Sequence, residues 1–100
     1  MKIVVTGATG FIGKYFVHAA RKTHELVVLS TQEDIPDNPL FEGIQFVNYR
    51  DSAEVTRVVN WSEALVHLAA VRPPMTGKAH FSDYQQNIQL LDSLLAKRED

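Results

Sequence analysis

Met1-Lys2-Ile3-Val4-Val5-Thr6-Gly7-Ala8-Thr9-Gly10-Phe11-Ile12-Gly13-Lys14-Tyr15-Phe16-Val17 opens the chain and decides its fold. Ile3, Val4 and Val5 are β-branched and apolar on consecutive positions, the pattern of a central parallel strand covered on both faces. Three glycines spaced three apart follow, and then Ile12, Phe16, Ala19 and Ala20 recur at helical spacing while Lys14, Arg21 and Lys22 stay polar. Strand, tight turn and helix are written in succession, with the helix expected to end near Thr23. Arg21 and Lys22 lie near its negative end, where cations are favoured.

Working outward, Glu25-Leu26-Val27-Val28-Leu29-Ser30 is a second apolar run reached by a short connection, which makes a strand–helix–strand unit with a right-handed crossover and a parallel sheet. Residues 31–41 carry Asp34, Pro36, Asp37, Asn38 and Pro39, a turn-rich composition that predicts an irregular crossover. Gly43-Ile44-Gln45-Phe46-Val47 resumes a strand. Asp51 with Glu54 three residues on reads as a capping box for a helix carrying Val55, Val58 and Val59. Ala64 to Ala70 makes a fourth strand, closed by Val71-Arg72-Pro73-Pro74. Ser82 with Gln85 predicts a last helix over 83–98, with Tyr84, Ile88, Leu91 and Leu95 on one stripe, expected to dock on the sheet, and Leu90 and Leu94 on a neighbouring one, expected to meet a partner. The fold class is therefore α/β: a Rossmann-like parallel sheet of four strands in order 3-2-1-4 with flanking helices, the first part of a doubly wound fold.

One hundred residues suit a single domain over 1–100, with 45% apolar and 22% charged residues excluding disorder and fibrous repeats. A net charge of −2 with scattered basic residues gives no footprint for nucleic acid. The absence of cysteine excludes disulfides and thiolate chemistry and fits a reducing compartment, so cytoplasm is the expected location. Ile3 to Val5 is far too short for a signal or membrane segment. His18, His24 and His80 lack paired ligand spacing, so no metal is expected.

The glycine turn carries the chemistry. Gly7 lets the chain turn off the strand, Gly10 lets backbone approach a phosphate without a Cβ in the way, and Gly13 permits close helix packing. The N–H groups of Phe11 and Ile12, unpaired at the helix start, would point at a pyrophosphate. Position after a strand and before a helix makes this a dinucleotide-binding signature rather than a structural turn.

Thr6-Gly7-Ala8-Thr9-Gly10-Phe11-Ile12-Gly13, His67-Leu68-Ala69-Ala70 and Asn87 together resemble the extended short-chain dehydrogenase/reductases, the NAD-dependent epimerase/dehydratase family. The resemblance runs across the whole chain. It implies that the glycine turn holds the cofactor pyrophosphate, that Leu68, Ala69 and Ala70 pass beside the ribose nearest the nicotinamide, and that Asn87 supports the active site. It also implies hydride transfer and nucleotide-sugar substrates in a full-length parent, of which this chain would be the cofactor-binding segment.

Three departures qualify the resemblance. Tyr15, Tyr49 and Tyr84 are followed four residues on by Ala19, Ala53 and Ile88, so the Tyr-x-x-x-Lys pair that the family uses as proton shuttle is absent and the chain as written is expected to be catalytically incomplete. The end of strand two offers Ser30-Thr31-Gln32, without the acid that selects NAD or the base that selects NADP, although Glu33 and Asp34 follow and Lys14 and Arg50 could meet a phosphate. NAD is the default and NADP the close alternative. Asn48 stands where the family commonly has an adenine-binding Asp and keeps only the amide acceptor, with the Tyr49 backbone flanking the base. The same residues also read as a turn before a helix. His67 reads as a structural histidine, and Arg72 as either a ligand contact or a solvated loop residue.

Two other functions stay open: a non-catalytic dinucleotide-binding sensor and an interaction module with a vestigial site. An uncovered sheet edge and the wide apolar surface of the last helix predict a homodimer or a domain-exchanged oligomer.

Overall fold

Consecutive β-branched residues build the middle of the sheet. In the computed structural model, which describes residues 1–30, 38–69 and 81–99, β1 is Lys2–Thr6, α1 Phe11–Ala20, β2 Glu25–Ser30, β3 Gln45–Asn48, α2 Ser52–Trp61, β4 Ala64–His67 and α3 Phe81–Leu95. The strands lie in order β3-β2-β1-β4 and every pair is parallel, with Val4 beside Val27 on one side and Leu65 on the other. This is the expected Rossmann-like arrangement.

The pleat sorts the apolar residues into two layers. Ile3, Val5, Leu26 and Val28 face α1 and pack with Val17, Ala20 and Phe41, whereas Val4, Val27, Leu29 and Val47 face α2 and pack with Val55, Val58, Val59 and Leu94. Both faces of β1 and β2 are thus covered, which is why their sequences are apolar without alternation. β4 pairs only with β1 among the described residues, and its four residues stay half-buried.

Local chemistry fixes the joints. The Asp51 side chain accepts the Glu54 N–H at 3.3 Å and caps α2 as its spacing predicts. α1 stops at Ala20 instead of near Thr23, because the N–H groups of Thr23 and His24 both fold back onto the Ala20 carbonyl and Glu25 is then tied to the Met1 carbonyl. Within the expected irregular crossover, Pro39–Phe41 forms a 3-10 turn capped by the Asn38 side chain, which accepts the Leu40 N–H at 3.0 Å. Arg21 donates to the carbonyls of Pro39, Leu40 and Glu42. Phe41 is pinned in the core, edge-on to Phe46. Residues 31–37 of that crossover lie outside the described residues.

The packing of α3 corrects the sequence expectation. Leu94 is buried and Leu90 packs beside it, while Ile88 and Leu95, on the stripe expected to face the core, are 54% and 55% exposed. The helix begins at Phe81 rather than Asp83, and its C-terminal end is held against α2: Asn60 donates to the Lys97 carbonyl at 2.9 Å and accepts the Glu99 N–H at 3.0 Å, and Arg98 donates to the Val59 carbonyl at 2.9 Å. Those ties set the rotation of α3 about its axis and turn the Leu90–Leu94 row inward. Spacing within one helix cannot reveal them.

Candidate functional site

The glycine turn leaves β1 at its carboxyl end. Gly7 has φ +74°, and a Cβ there would lie 2.4 Å from the Ala69 nitrogen, so glycine is required both by conformation and by the strand pressed against it. A Cβ on Gly13 would lie 2.1 Å from the Gly7 carbonyl oxygen, which seats the helix directly on the turn. Gly10 differs from both. Its backbone is ordinary, φ −74° and ψ 175°, and a Cβ would come no closer than 3.4 Å to the Gly7 oxygen. Among the described residues nothing demands glycine there, and the missing Cβ leaves space at the open start of α1.

That helix start is open. No side chain caps it, and the first bond it makes runs from the Lys14 N–H to the Gly10 carbonyl at 3.0 Å, which leaves the N–H groups of Phe11, Ile12 and Gly13 without intrahelical acceptors. No acidic residue lies in the first turn to compete for them. Phe11 and Ile12 are exposed, and the Phe11 ring meets Tyr15 edge-on at 5.3 Å.

Across the turn, Thr6 ties β1 to the strip that follows β4. Its buried hydroxyl oxygen accepts the N–H groups of Leu68 and Ala69, each at 3.1 Å, and lies 2.7 Å from His67 Nδ1. Gly7, Leu68 and Ala69 are thereby brought together, as expected. His67 is half-buried and hydrogen-bonded, which agrees with its structural reading. Ala70 and Arg72 lie outside the described residues.

Ser30 and Asn48 stand opposite one another at the ends of β2 and β3, and the Tyr49 N–H donates to the Ser30 carbonyl at 3.2 Å. Asn48 Oδ1 accepts the Arg50 N–H at 2.8 Å. The turn before α2 therefore uses one of the two lone pairs of that amide oxygen. Sequence reasoning gave Tyr49 only a backbone role, but its side chain packs into the α2 layer and its buried Oη has no hydrogen-bond partner of full geometry among the described residues. Burial pushes the phenol up to about 12, against a smaller opposing pull from the neighbouring Thr6 side chain. Thr31 lies outside the described residues, and Asn87 is placed in α3 by its backbone alone.

A separate cleft of about 460 Å³, lined in part by Arg21, His24, Gln45, Arg57 and Trp61, opens at the opposite ends of β2 and β3. Its guanidinium groups are engaged, Arg21 with backbone carbonyls and Arg57 with Glu54 at 2.8 Å. Among the described residues no group of three His, Cys, Asp or Glu side chains is placed to hold a metal.

Comparisons with known proteins bear on the family and the fold. The model of the NAD dependent epimerase/dehydratase family matches residues 3–97. The dTDP-glucose 4,6-dehydratase of Salmonella typhimurium strain LT2 is 34% identical over 97 residues, an alignment spanning 81% of this chain and 27% of the dehydratase. Among solved structures, a Burkholderia cenocepacia J2315 protein classed as an epimerase superposes with TM-score 0.69 at 20% identity, over 99% of this chain and 34% of that one. The uronate dehydrogenase of Agrobacterium tumefaciens, as a mutant complexed with NAD, superposes with TM-score 0.63 at 19% identity, over 96% and 36%. These two likenesses establish the fold. The chain spans about a third or less of the length of each relative.

Proposed function

We infer that this chain, which belongs to the NAD dependent epimerase/dehydratase family, binds a nicotinamide dinucleotide across the carboxyl ends of its strands. The observation that carries the reading is Gly10, a glycine that neither its conformation nor packing against the described residues requires, at a helix start whose N–H groups are open. The pyrophosphate would rest on Phe11, Ile12 and Gly13, and the nicotinamide ribose beside Leu68 and Ala69. Asn48 would turn its remaining acceptor to the adenine, while Ser30 would sit near the adenosine ribose. With no basic residue at the end of β2, NAD is the proposed form. The NAD held by the uronate dehydrogenase neighbour supports that choice.

The bound nicotinamide would supply hydride acceptance and donation. The residues described here would bind and orient it, and none of the three tyrosines has the lysine four residues on that would make it a proton shuttle. The chain is therefore proposed to be the cofactor-binding part of a nucleotide-sugar epimerase or dehydratase, with acid–base groups supplied by sequence other than this. Identity to dTDP-glucose 4,6-dehydratase supports that substrate class. No helix among the described residues is long and apolar enough to cross a membrane. The exposed Ile88 and Leu95 support a homodimeric or strand-exchanged form. Calorimetric titration with NAD tests the reading: one site per chain is expected, and absence of heat at millimolar ligand would refute it.

A further inference from the structure

We propose that His67 is a positioning residue of the cofactor site, acting through Thr6; the proposal rests on the dinucleotide-binding reading above. A hydroxyl has one hydrogen to give and two lone pairs to receive. The Leu68 and Ala69 N–H groups can only donate, and both reach Thr6 Oγ1 at 3.1 Å, which fills its lone pairs. The Thr6 O–H must then donate, and His67 Nδ1 lies 2.7 Å away, a distance usual for a hydroxyl donor. His67 Nδ1 is accordingly the acceptor, which places the ring proton on Nε2.

The consequence reaches the ligand. A hydroxyl rotor with no acceptor turns freely, and Thr6 has a rival direction available, because the unpartnered Tyr49 Oη is its neighbour. Turning that way would withdraw a lone pair from the strip. The Ala69 N–H has Thr6 Oγ1 as its acceptor, whereas the Leu68 N–H is shared with the Thr6 carbonyl at 3.0 Å, so Ala69 feels the loss more. Gly7 leaves no room for even a Cβ against the 68–69 peptide, and movement of the strip is transmitted to the glycine turn. By fixing the Thr6 hydroxyl, His67 holds both walls of the site in register.

The test compares His67→Leu, which keeps side-chain bulk without an acceptor, with His67→Asn, whose amide oxygen can stand near the Nδ1 position. Two measurements are made on the full chain: the Kd for NAD and the hydrogen-exchange protection of the Ala69 amide. His67→Leu is expected to raise the Kd about fivefold and to lower Ala69 protection about fivefold, the worth of roughly one net hydrogen bond, and His67→Asn to stay within about twofold of the parent in both. Adding His67→Leu to Thr6→Val should cost nothing further, because the two act through one bond. Equal losses in the Leu and Asn variants, or additive losses in the double variant, would overturn the proposal and leave His67 a space-filling residue. If the parent chain takes up no NAD, the dinucleotide reading fails by itself, and Ala69 exchange still decides whether His67 positions the strip.

Discussion

Substituting the three glycines of the turn one at a time should separate folding from binding. We predict that Gly10→Ala leaves stability within about 1 kcal/mol of the parent. The added Cβ sits at 3.4 Å from the Gly7 oxygen in an ordinary backbone conformation, and loss of unfolded-state freedom, worth about 0.4–1 kcal/mol, offsets a cost of similar size for alanine at an N-cap. Gly13→Ala gains about 1 kcal/mol of helix propensity but forces a Cβ to 2.1 Å from a carbonyl oxygen, an overpacking that costs about 1–3 kcal/mol even where neighbours can yield. Here the neighbour is backbone. Gly7→Ala combines a left-handed φ of +74°, which costs alanine about 1–2 kcal/mol, with a contact at 2.4 Å. At about 4–8 °C of Tm per kcal/mol for a chain this size, Gly7→Ala and Gly13→Ala should melt lower by about 10 °C or more and Gly10→Ala within a few degrees. The affinity order is different: Gly10→Ala should weaken NAD binding at least about tenfold, because its methyl group would stand where the proposed site receives the pyrophosphate. Melting by circular dichroism and titration with NAD measure both. A folded Gly10→Ala variant that binds NAD as tightly as the parent would refute the reasoning.

The packing of α3 gives a second test: Leu94→Ala should cost about 2–5 kcal/mol and Leu95→Ala less than about 1 kcal/mol by urea denaturation, and the reverse order would return the helix to the rotation read from sequence. Asp51→Ala should cost about 1 kcal/mol through loss of the α2 cap, seen as a lower denaturation midpoint at unchanged slope. The Tyr49 phenol, raised from 10.0 to about 12, stays protonated in the folded chain after the unfolded chain has begun to ionise, so its contribution to stability is intact below pH 10 and is lost as pH climbs from 10 toward 12. Tyr49→Phe should flatten that alkaline loss in melting curves taken across the window, and an unchanged slope would contradict the assignment.

The sheet was legible because its determinants are local. Ile3 to Val5 and Leu26 to Leu29 are apolar on every position since helices cover both faces, and Asp51 with Glu54 writes a cap in four residues. The geometry of the glycine turn was equally legible, because strain at Gly7 and contact at Gly13 arise within seven residues of chain. What escaped depends on distant partners. The rotation of α3 is set by hydrogen bonds from its end to Asn60 and Val59, which no periodicity within the helix encodes. The pairing of Thr6 with His67 joins positions 61 residues apart, and only parallel registry of β1 with β4 brings them together. Tyr49 was legible as part of a turn, but the direction of its ring into the α2 layer depends on tertiary packing.

The central claim is that this chain presents a working dinucleotide site, and calorimetric titration of the chain with NAD and, separately, NADP tests it most directly. Heat at one site per chain is expected with NAD, with weaker binding of NADP, whose extra phosphate meets no basic residue at Ser30 or Thr31. Silence with both ligands at millimolar concentration would contradict it.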